Sequence, residues 1–401
     1  MNLGHLNIPK PKMENVSFVH DIQTQLYLQY SRLIEIGTPG SSVLKALEED
    51  PRVRSLEGSM ISKGSSASRF EIRTLAMWFL WAANEFGYEV AESNLNTFLN
   101  SETVPVINTL WILGIELDGT IELGSGVRII PIEGMPDSRD KEQYLKHDFG
   151  SIHQTPKPRV AITCINNITK SIRDGTPPNT QNRIDKFWKS KQLLQEVSLI
   201  LNAIDGVSCI PYFSTSYSLP EMPIGIFGGT GGGAPLHDIY GFRSTKLTAS
   251  SASEINDLLA SFRALPDDKI IKMSRALSRL SQAKRREQIE DKILDLGIAL
   301  EMALLDDNKN NNQLSLSFRL RGSWLIAKDH AERKLIYRQL KDIYNYRSQV
   351  AHGGALCGND PKEINAVREK FQDYSRLAER IIRQLIRDCN PDWSVLILGG
   401  I

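Results

Sequence analysis

The stretch YNYRSQVAHGG, residues 344–354, decides how the C-terminal third of this 401-residue chain is interpreted. It closes a predicted helix over about 331–351, and the two glycines at its end are a typical helix stop. The inward-facing residues of this helix recur at helical spacing: Ile336, Leu340, Ile343 and Tyr344. Arg347 and His352 lie near its end with four residues between them. The sequence therefore places a permanent cation and a group that titrates near neutral pH at one end of an amphipathic helix.

Three further amphipathic helices surround this one in the sequence. Apolar steps of three and four predict helices over about 289–304 and 367–387. Between them, LSFRLRGSWLIA predicts a helix with these residues facing inward: Phe318, Leu320, Trp324 and Leu325. Four such helices joined by short or polar loops are typical of an antiparallel bundle. We therefore predict a mostly α protein, with a C-terminal antiparallel four-helix bundle over 261–395 preceded by a mixed α/β N-terminal region.

A second segment, DKILDLGIALE at 291–301, lies in the first helix of this predicted bundle and ends in Glu301. With the arginine–histidine pair it resembles the HEPN family, whose mark is an arginine followed four to six residues later by a histidine on the third of four helices. The nearer likeness is to the Apea-like HEPN branch, in which the pair reads RS, three residues, then HG. Because the spacing alone is expected about once by chance, the resemblance rests on the coincidence of pair, helix, glycine stop and upstream segment.

The resemblance implies a metal-independent endoribonuclease that acts as a homodimer and leaves a cyclic phosphate and a 5′-hydroxyl. The residue types suit this chemistry, because histidine can take or give a proton and arginine can hold two phosphate oxygens. Arg347 is expected to hold the phosphate and His352 to transfer the proton, with Ser348 and Glu301 in support. Five residues turn an ideal helix by about 140°, so the pair does not share a face. Either the helix loosens before its end, or the partner subunit completes the site.

The residues after the histidine differ from those of some relatives. Certain HEPN toxins carry a tyrosine there, which a partner nucleotidyltransferase modifies, whereas this chain has Gly353, Gly354 and Ala355. This departure favours a self-contained protein with its own regulatory front part. Apea-like proteins are often bacterial defence effectors, so the resemblance implies a toxin-like, abortive-infection activity against phage, released by a phage-derived trigger. The implied substrate is RNA, with transfer RNA as one candidate.

Regional charge agrees with an anionic partner for the C-terminal part. Residues 267–390 carry 24 Lys and Arg against 18 Asp and Glu, a balance of +6, and the remainder of the chain carries −5. Arg319 and Arg321 are candidate RNA contacts, although a solvated surface explains the same charge. The basic run 284–286 is predicted to be a solvated helix start. Four arginines on one face of the last helix fit either a phosphate track or a solvent-facing surface: Arg376, Arg380, Arg383 and Arg387.

Composition excludes several classes of protein. With 41% hydrophobic and 24% charged residues the chain is neither collagen-like nor disordered, and 48 basic residues nearly cancel 47 acidic ones. Four cysteines without zinc spacing predict reduced thiols. No apolar run approaches the length of a membrane span, and the start lacks a signal-peptide core. We therefore expect a soluble cytoplasmic protein with no membrane contact, no metal and no cofactor.

The front two-thirds yields an organisation but no site. We predict a helical region over 1–145 as a candidate sensor, with a strong helix over 69–86 and a β-hairpin over about 111–132. A small α/β region is predicted over 146–260, and the composition changes near 250–266. The glycine-rich stretch 225–235 lacks the Gly-Lys-Ser/Thr of a phosphate-binding loop and is predicted to be a flexible loop. His147 and His153 have no acidic partner at metal spacing. His237 precedes Asp238 as in part of a catalytic dyad, but no nucleophile is placed with them, so His237 is interpreted as structural. Two alternatives stay open: a non-catalytic HEPN module that binds RNA or dimerises, and a metabolic enzyme with its site in the front half.

Overall fold

The computed structural model describes most of the chain and shows a mostly helical protein whose strands all precede residue 248 in the described part. The described residues are 30–38, 40–63, 66–135, 141, 158–169, 171–173, 181–218, 222–223, 244–305, 313–353, 355–388 and 391–398. The glycine-rich stretch 225–235 and the histidines at 147, 153 and 237 lie outside them. In these ranges no helix combines the length and the apolarity that a bilayer crossing requires.

The described elements are as follows. The α-helices are α1 (Ser41–Glu49), α2 (Pro51–Arg54), α3 (Ile72–Phe86), α4 (Tyr88–Asn100), α5 (Gln181–Leu201), α6 (Ser251–Arg263), α7 (Asp267–Arg285), α8 (Ile289–Leu304), α9 (Leu314–Ile326), α10 (His330–Gly353), α11 (Pro361–Arg387) and α12 (Trp393–Leu398). The strands are β1 (Met60–Lys63), β2 (Ser66–Arg69), β3 (Thr103–Leu113), β4 (Ile115–Leu117), β5 (Ile121–Glu122), β6 (Val127–Pro131), β7 (Val160–Thr169), β8 (Ser171–Arg173), β9 (Ile210–Ser218) and β10 (Thr245–Leu247).

The first layer is a helical unit built around α3. Its run of aromatic and aliphatic residues is almost wholly buried, including Trp78 and Phe79. The helix ends at Gly87, whose φ of 92° is a conformation that glycine adopts without strain. Tyr88 then opens α4 and packs edge-on against Phe79, with ring centroids 5.9 Å apart. The sequence prediction of a strong helix here is confirmed.

The second layer is a five-stranded sheet in the order β5-β6-β7-β3-β9, with every neighbouring pair antiparallel. The hairpin predicted over about 111–132 is correct only for β5 and β6, which pair Ile121 with Ile129. β3 pairs instead with β7 and β9. Its eleven residues are buried over almost their whole length, which is typical of a central strand rather than one arm of a hairpin.

A single apolar core joins this sheet to the C-terminal helices. α5 packs on β3 and β7 and also contacts α6 and α7, and one buried cluster continues from Leu110 to Ile386. The composition change near 250–266 spans α6 and the turn into α7, where the core continues without interruption. The predicted domain boundaries at 145 and 260 stay predictions.

The C-terminal helices pack closely on one another. Each of α8, α9, α10 and α11 contacts the other three, α7 lies along α8, and α12 contacts α9. Gly322 lets α9 approach α10, because a Cβ there would lie 2.6 Å from Leu340 Cδ1. Among the residues predicted to face inward, Phe318, Ile336, Leu340 and Ile343 are buried, whereas Leu320, Trp324, Leu325 and Tyr344 are only partly so. Trp324 instead stacks under the guanidinium of Arg333 at 3.6 Å.

A buried polar network, here called the junction, connects the loop after α5 with α7 and α11. Lys284 Nζ lies 2.7 Å from Glu379 Oε1 and donates to the carbonyls of Asn202 at 2.7 Å and Val207 at 2.5 Å. Glu379 Oε2 accepts the backbone N–H of Gly206 at 2.9 Å. All three ammonium donors therefore have acceptors, although burial lowers the pKa of Lys284. The expectation that 284–286 is a solvated helix start is wrong for Lys284.

Candidate functional site

The pair that drew attention in the sequence lies on one uninterrupted helix. α10 runs without a break through His352 to Gly353. In such a helix Arg347 and His352 are separated by about 140° around the axis and about 7.5 Å along it. The helix therefore does not loosen before its end, and one chain does not present both side chains on one face.

Arg347 is held against α8. Its Nη2 lies 2.8 Å from Glu301 Oε2, and the two side chains are 27% and 21% exposed. The aliphatic part of Arg347 crosses α8 at Gly297, where a Cβ would lie 2.7 Å from Arg347 Cβ and 2.6 Å from its Cγ. Gly297 and Glu301 are one turn apart, so α8 offers the arginine a gap and then a carboxylate.

The role of Gly297 was not recognised in the sequence, although a signal was present. A glycine inside an amphipathic helix costs about 1 kcal/mol relative to alanine, so its presence there points to a packing or functional reason. The structure supplies that reason in the close passage of Arg347. The segment DKILDLGIALE thus contains both residues that position the arginine.

The electrostatics of the Arg347–Glu301 pair are incompletely balanced. Burial raises the pKa of Glu301, and the neighbouring Arg347 only partly opposes that rise. Arg347 Nε is buried and donates to no acceptor among the residues that the structure describes. A buried N–H without a partner costs about 1–3 kcal/mol. The guanidinium therefore retains hydrogen-bonding capacity that Glu301 does not fill.

His352 and Ser348 occupy the solvent-facing end of α10. His352 is exposed in the last turn and Ser348 is half-buried. Gln349 Oε1 accepts the backbone N–H of Cys357 at 3.1 Å, which ties this end of α10 to the turn that precedes α11. An imidazole in this position can exchange protons with solvent or with a bound molecule.

The structure gives the two candidate RNA-contacting arginines other contacts. Arg321 Nη1 donates to the carbonyl of Leu304 at 2.7 Å, and its guanidinium lies 4.9 Å from the ring centre of Trp393. Arg321 thereby caps the end of α8, one turn beyond Glu301. Arg319 lies over Tyr337 at 5.1 Å, against the side of α10. Contact of either with RNA stays a prediction.

Three of the four arginines that the sequence places on one face of α11 are paired with acids. Arg380 lies 2.8 Å from Glu332, and Arg387 lies 3.8 Å from Glu254. Arg383 binds both Glu254, at 2.9 Å, and Asp205. These contacts favour a role in packing α11 against α6, α10 and the loop after α5 over a continuous phosphate track. Arg376 is exposed and lines a cavity described below.

Metal-ligand and thiol chemistry leave few candidates in the described ranges. No group of three or more His, Cys, Asp or Glu side chains there is placed to hold a metal ion. Cys164, Cys209 and Cys357 are free thiols, and burial raises the pKa of the first two. The chemistry that the candidate site offers is that of a guanidinium, an imidazole and a carboxylate.

Comparison with known proteins adds no relative. No family model, no curated protein and no solved structure matches this chain.

Proposed function

We propose that this protein is a metal-independent endoribonuclease of the Apea-like HEPN type. One observation carries the proposal: the two segments that bear the resemblance, 291–301 and 344–354, meet in space. Arg347 crosses Gly297 and pairs with Glu301, so the arginine and the upstream segment belong to one site. The four predicted helices also contact one another, as such a bundle requires.

The proposed reaction is an internal transfer of the phosphoryl group. A neutral imidazole takes the proton of the 2′-hydroxyl, the O2′–P bond forms and the P–O5′ bond breaks. An imidazolium returns a proton to the departing 5′-oxygen, and the guanidinium of Arg347 stabilises the charge that develops on phosphorus-bound oxygens. The products are a 2′,3′-cyclic phosphate and a 5′-hydroxyl.

A homodimer would complete this site. Because Arg347 and His352 diverge on one intact helix, two copies of α10 are needed to bring the arginine of one chain near the histidine of another. Two copies would also supply two imidazoles, one as the base and one as the acid. Arg347 and Glu301 are partly exposed and the end of α10 is exposed, so the surface on which a second copy would pack is accessible.

The test compares four variants on the same helix. Full-length wild type, Arg347→Ala and His352→Ala are incubated with total RNA and with transfer RNA in EDTA, with and without lysate from phage-infected cells as the source of a trigger, and product ends are mapped. The matched controls are Arg338→Ala and His330→Ala, since both residues are exposed on α10 and lie nine or more residues before Arg347. We expect cyclic-phosphate ends, a loss of about 10²–10³-fold for Arg347→Ala and about 10²–10⁴-fold for His352→Ala. The controls should cleave like wild type.

We further propose that the cleavage serves defence against phage and is held inactive by the front region until a phage-derived trigger appears. The resemblance is the basis for this role, and the junction supports it by connecting the loop after α5 to α7 and α11. Phage should form fewer plaques on cells that express wild type than on cells that express His352→Ala. Cells that express His330→Ala should be protected like those with wild type. Equal plaque counts for all three proteins would contradict the defence role.

The second candidate is a non-catalytic module that binds RNA or dimerises. The engagement of Arg347 by Glu301, on a different face from His352, favours this reading. It predicts a dimer that retains RNA in a mobility-shift assay without cutting it, with or without lysate from phage-infected cells. That result, with retention weakened by Arg347→Ala, would replace the nuclease proposal.

A further inference from the structure

A cavity that is separate from Arg347 and His352 lies where the front part of the chain meets the C-terminal helices. Its volume is about 380 Å³, within the range of small-molecule sites. Its walls come from the loop after α5, the start of β10 and helices α7, α8 and α11, with these residues at its surface: Asp205, Ser208, Thr245, Lys284, Lys292, Phe371, Arg376 and Glu379.

The charges in this cavity do not cancel. Lys284 and Glu379 neutralise each other in the junction, and Asp205 is paired with Arg383. Lys292 and Arg376 form no ion pair with any carboxylate of the described residues. The charged side chains of the lining sum to +1, because Lys284, Lys292 and Arg376 face Asp205 and Glu379. Arg383 pairs with Asp205 from outside the lining, which leaves Lys292 and Arg376 as two cations without a counter-charge among the described residues and favours an anionic occupant.

Lys292 is the more buried of these two cations. Its ammonium lies 5.3 Å from the ring centre of Phe371, on the wall of the cavity. Burial lowers its pKa, and the nearby positive charge of Arg368 lowers it further. A bound anion would relieve both effects.

A buried hydroxyl provides an independent observation. Ser208 is only 6% exposed, lines the cavity, and its Oγ has no hydrogen-bond partner in the described part of the chain. Buried hydroxyls are almost always hydrogen-bonded. By contrast, the neighbouring Thr245 Oγ1 donates to the carbonyl of Gly206 at 2.8 Å. Ser208 therefore contributes to the wall of a cationic cavity a buried hydroxyl without an acceptor in the described part of the chain.

We propose that this cavity binds a small anion that carries a phosphate group. Lys292 and Arg376 neutralise its charge, and the Ser208 hydroxyl donates to one of its oxygens. The site uses no residue of the proposed nuclease. Lys292 nevertheless lies on α8, nine residues or about 13 Å before Glu301, so an occupant would bridge the front part to the helix that positions Arg347.

The test measures binding to the full-length protein. Inorganic phosphate and adenosine 5′-monophosphate are titrated by calorimetry and by thermal shift at constant ionic strength. We expect wild type to bind at least one of them and to be stabilised by it. Tighter binding of the nucleotide identifies a nucleotide site, and equal binding identifies a site for free phosphate.

Three variants and one control decide the assignment. Lys292→Met and Arg376→Gln should each weaken binding about tenfold or more, and Ser208→Ala removes only the hydroxyl and should weaken it measurably. The control is Lys370→Met, an exposed lysine of α11 that does not line the cavity. Absence of binding to wild type at millimolar concentrations, or equal binding by Ser208→Ala, Arg376→Gln and wild type, overturns the proposal.

Discussion

Two of the ion pairs that join helices in this protein are built differently. Lys284 and Glu379 are 7% and 1% exposed, and the lysine has three acceptors within 2.7 Å. Arg347 and Glu301 are partly exposed, and the arginine keeps a buried donor that meets no acceptor among the described residues. A fully satisfied pair in the interior fixes one geometry. A partly satisfied pair at the surface can exchange its carboxylate for another anion, which is the property a phosphate-binding arginine needs.

The largest effect should come from breaking the buried pair. Lys284→Met leaves the carboxylate of Glu379 in the interior without its cation, which should lower the free energy of unfolding by about 3–5 kcal/mol. Urea unfolding of the purified variant measures this loss. The double variant Lys284→Met/Glu379→Leu removes both charges and should recover part of the stability. A single-variant cost below about 1 kcal/mol would mean that water reaches the junction, and the contrast between the two pairs would fail.

A smaller effect should follow from filling the gap beneath Arg347. In Gly297→Ala the new methyl group would lie 2.6–2.7 Å from Arg347 Cβ and Cγ and would displace the arginine from Glu301. Overpacking costs about 1–3 kcal/mol and the gain in helix propensity is about 1 kcal/mol, so we expect a modest net loss of stability. The rate of RNA cleavage should fall even at temperatures where the variant remains folded, because Arg347 no longer pairs with Glu301.

The control for this prediction is Gly353→Ala at the end of α10, where an added Cβ meets no atom within 4 Å. It should change neither thermal stability nor RNA cleavage to the same extent. Equal effects of the two substitutions would show that the missing side chain of Gly297 is not specifically required for the position of Arg347.

The smallest effect is a pH dependence centred on Glu301. Its folded pKa is raised above the ordinary value of 4.5, so the stability it contributes is fully present below that value and is lost as pH rises through the raised pKa. The difference in free energy of unfolding between wild type and Glu301→Gln should therefore decline with rising pH in that window. Denaturant unfolding at a series of pH values measures it.

Glu332 provides a comparison of opposite sign. The backbone N–H of Lys328 and the guanidinium of Arg380 hold the pKa of Glu332 below its ordinary value. Its contribution is therefore present above the ordinary value and lost as pH falls through the lowered pKa. If Glu301→Gln and Glu332→Gln changed the pH dependence of the free energy of unfolding in the same direction, the interpretation of Glu301 as a buried carboxyl with a raised pKa would be wrong.

The elements that the sequence predicted best are those encoded by local periodicity. Apolar steps located α8, α10 and α11 to within a few residues, except that α11 begins six residues before the predicted start at 367. The inward orientation of Leu320, Trp324 and Leu325 was less accurate, because α9 has apolar residues around most of its surface and no single stripe. Periodicity also says nothing about which strands pair, so the central position of β3 was missed.

The parts of the site that escaped sequence analysis depend on distant partners. Lys284 looked like any lysine in a basic run, since Glu379 and the carbonyls of Asn202 and Val207 are distant in sequence. Gly297 gave a weak local signal, but its purpose depends on a side chain fifty residues later. Arg347 and Glu301 were singled out together through the resemblance, and their contact in the structure stems from the packing of α10 on α8.

The continuous core also limits how this protein can change by recombination. Lys284 donates to main-chain carbonyls at Asn202 and Val207, which any residue type supplies provided that the loop follows the same path. A crossover near residue 260 to a front part with a different loop would leave the buried ammonium with one acceptor of three. Exchange of the front part therefore preserves the junction only where the path of this loop is kept, whatever its sequence.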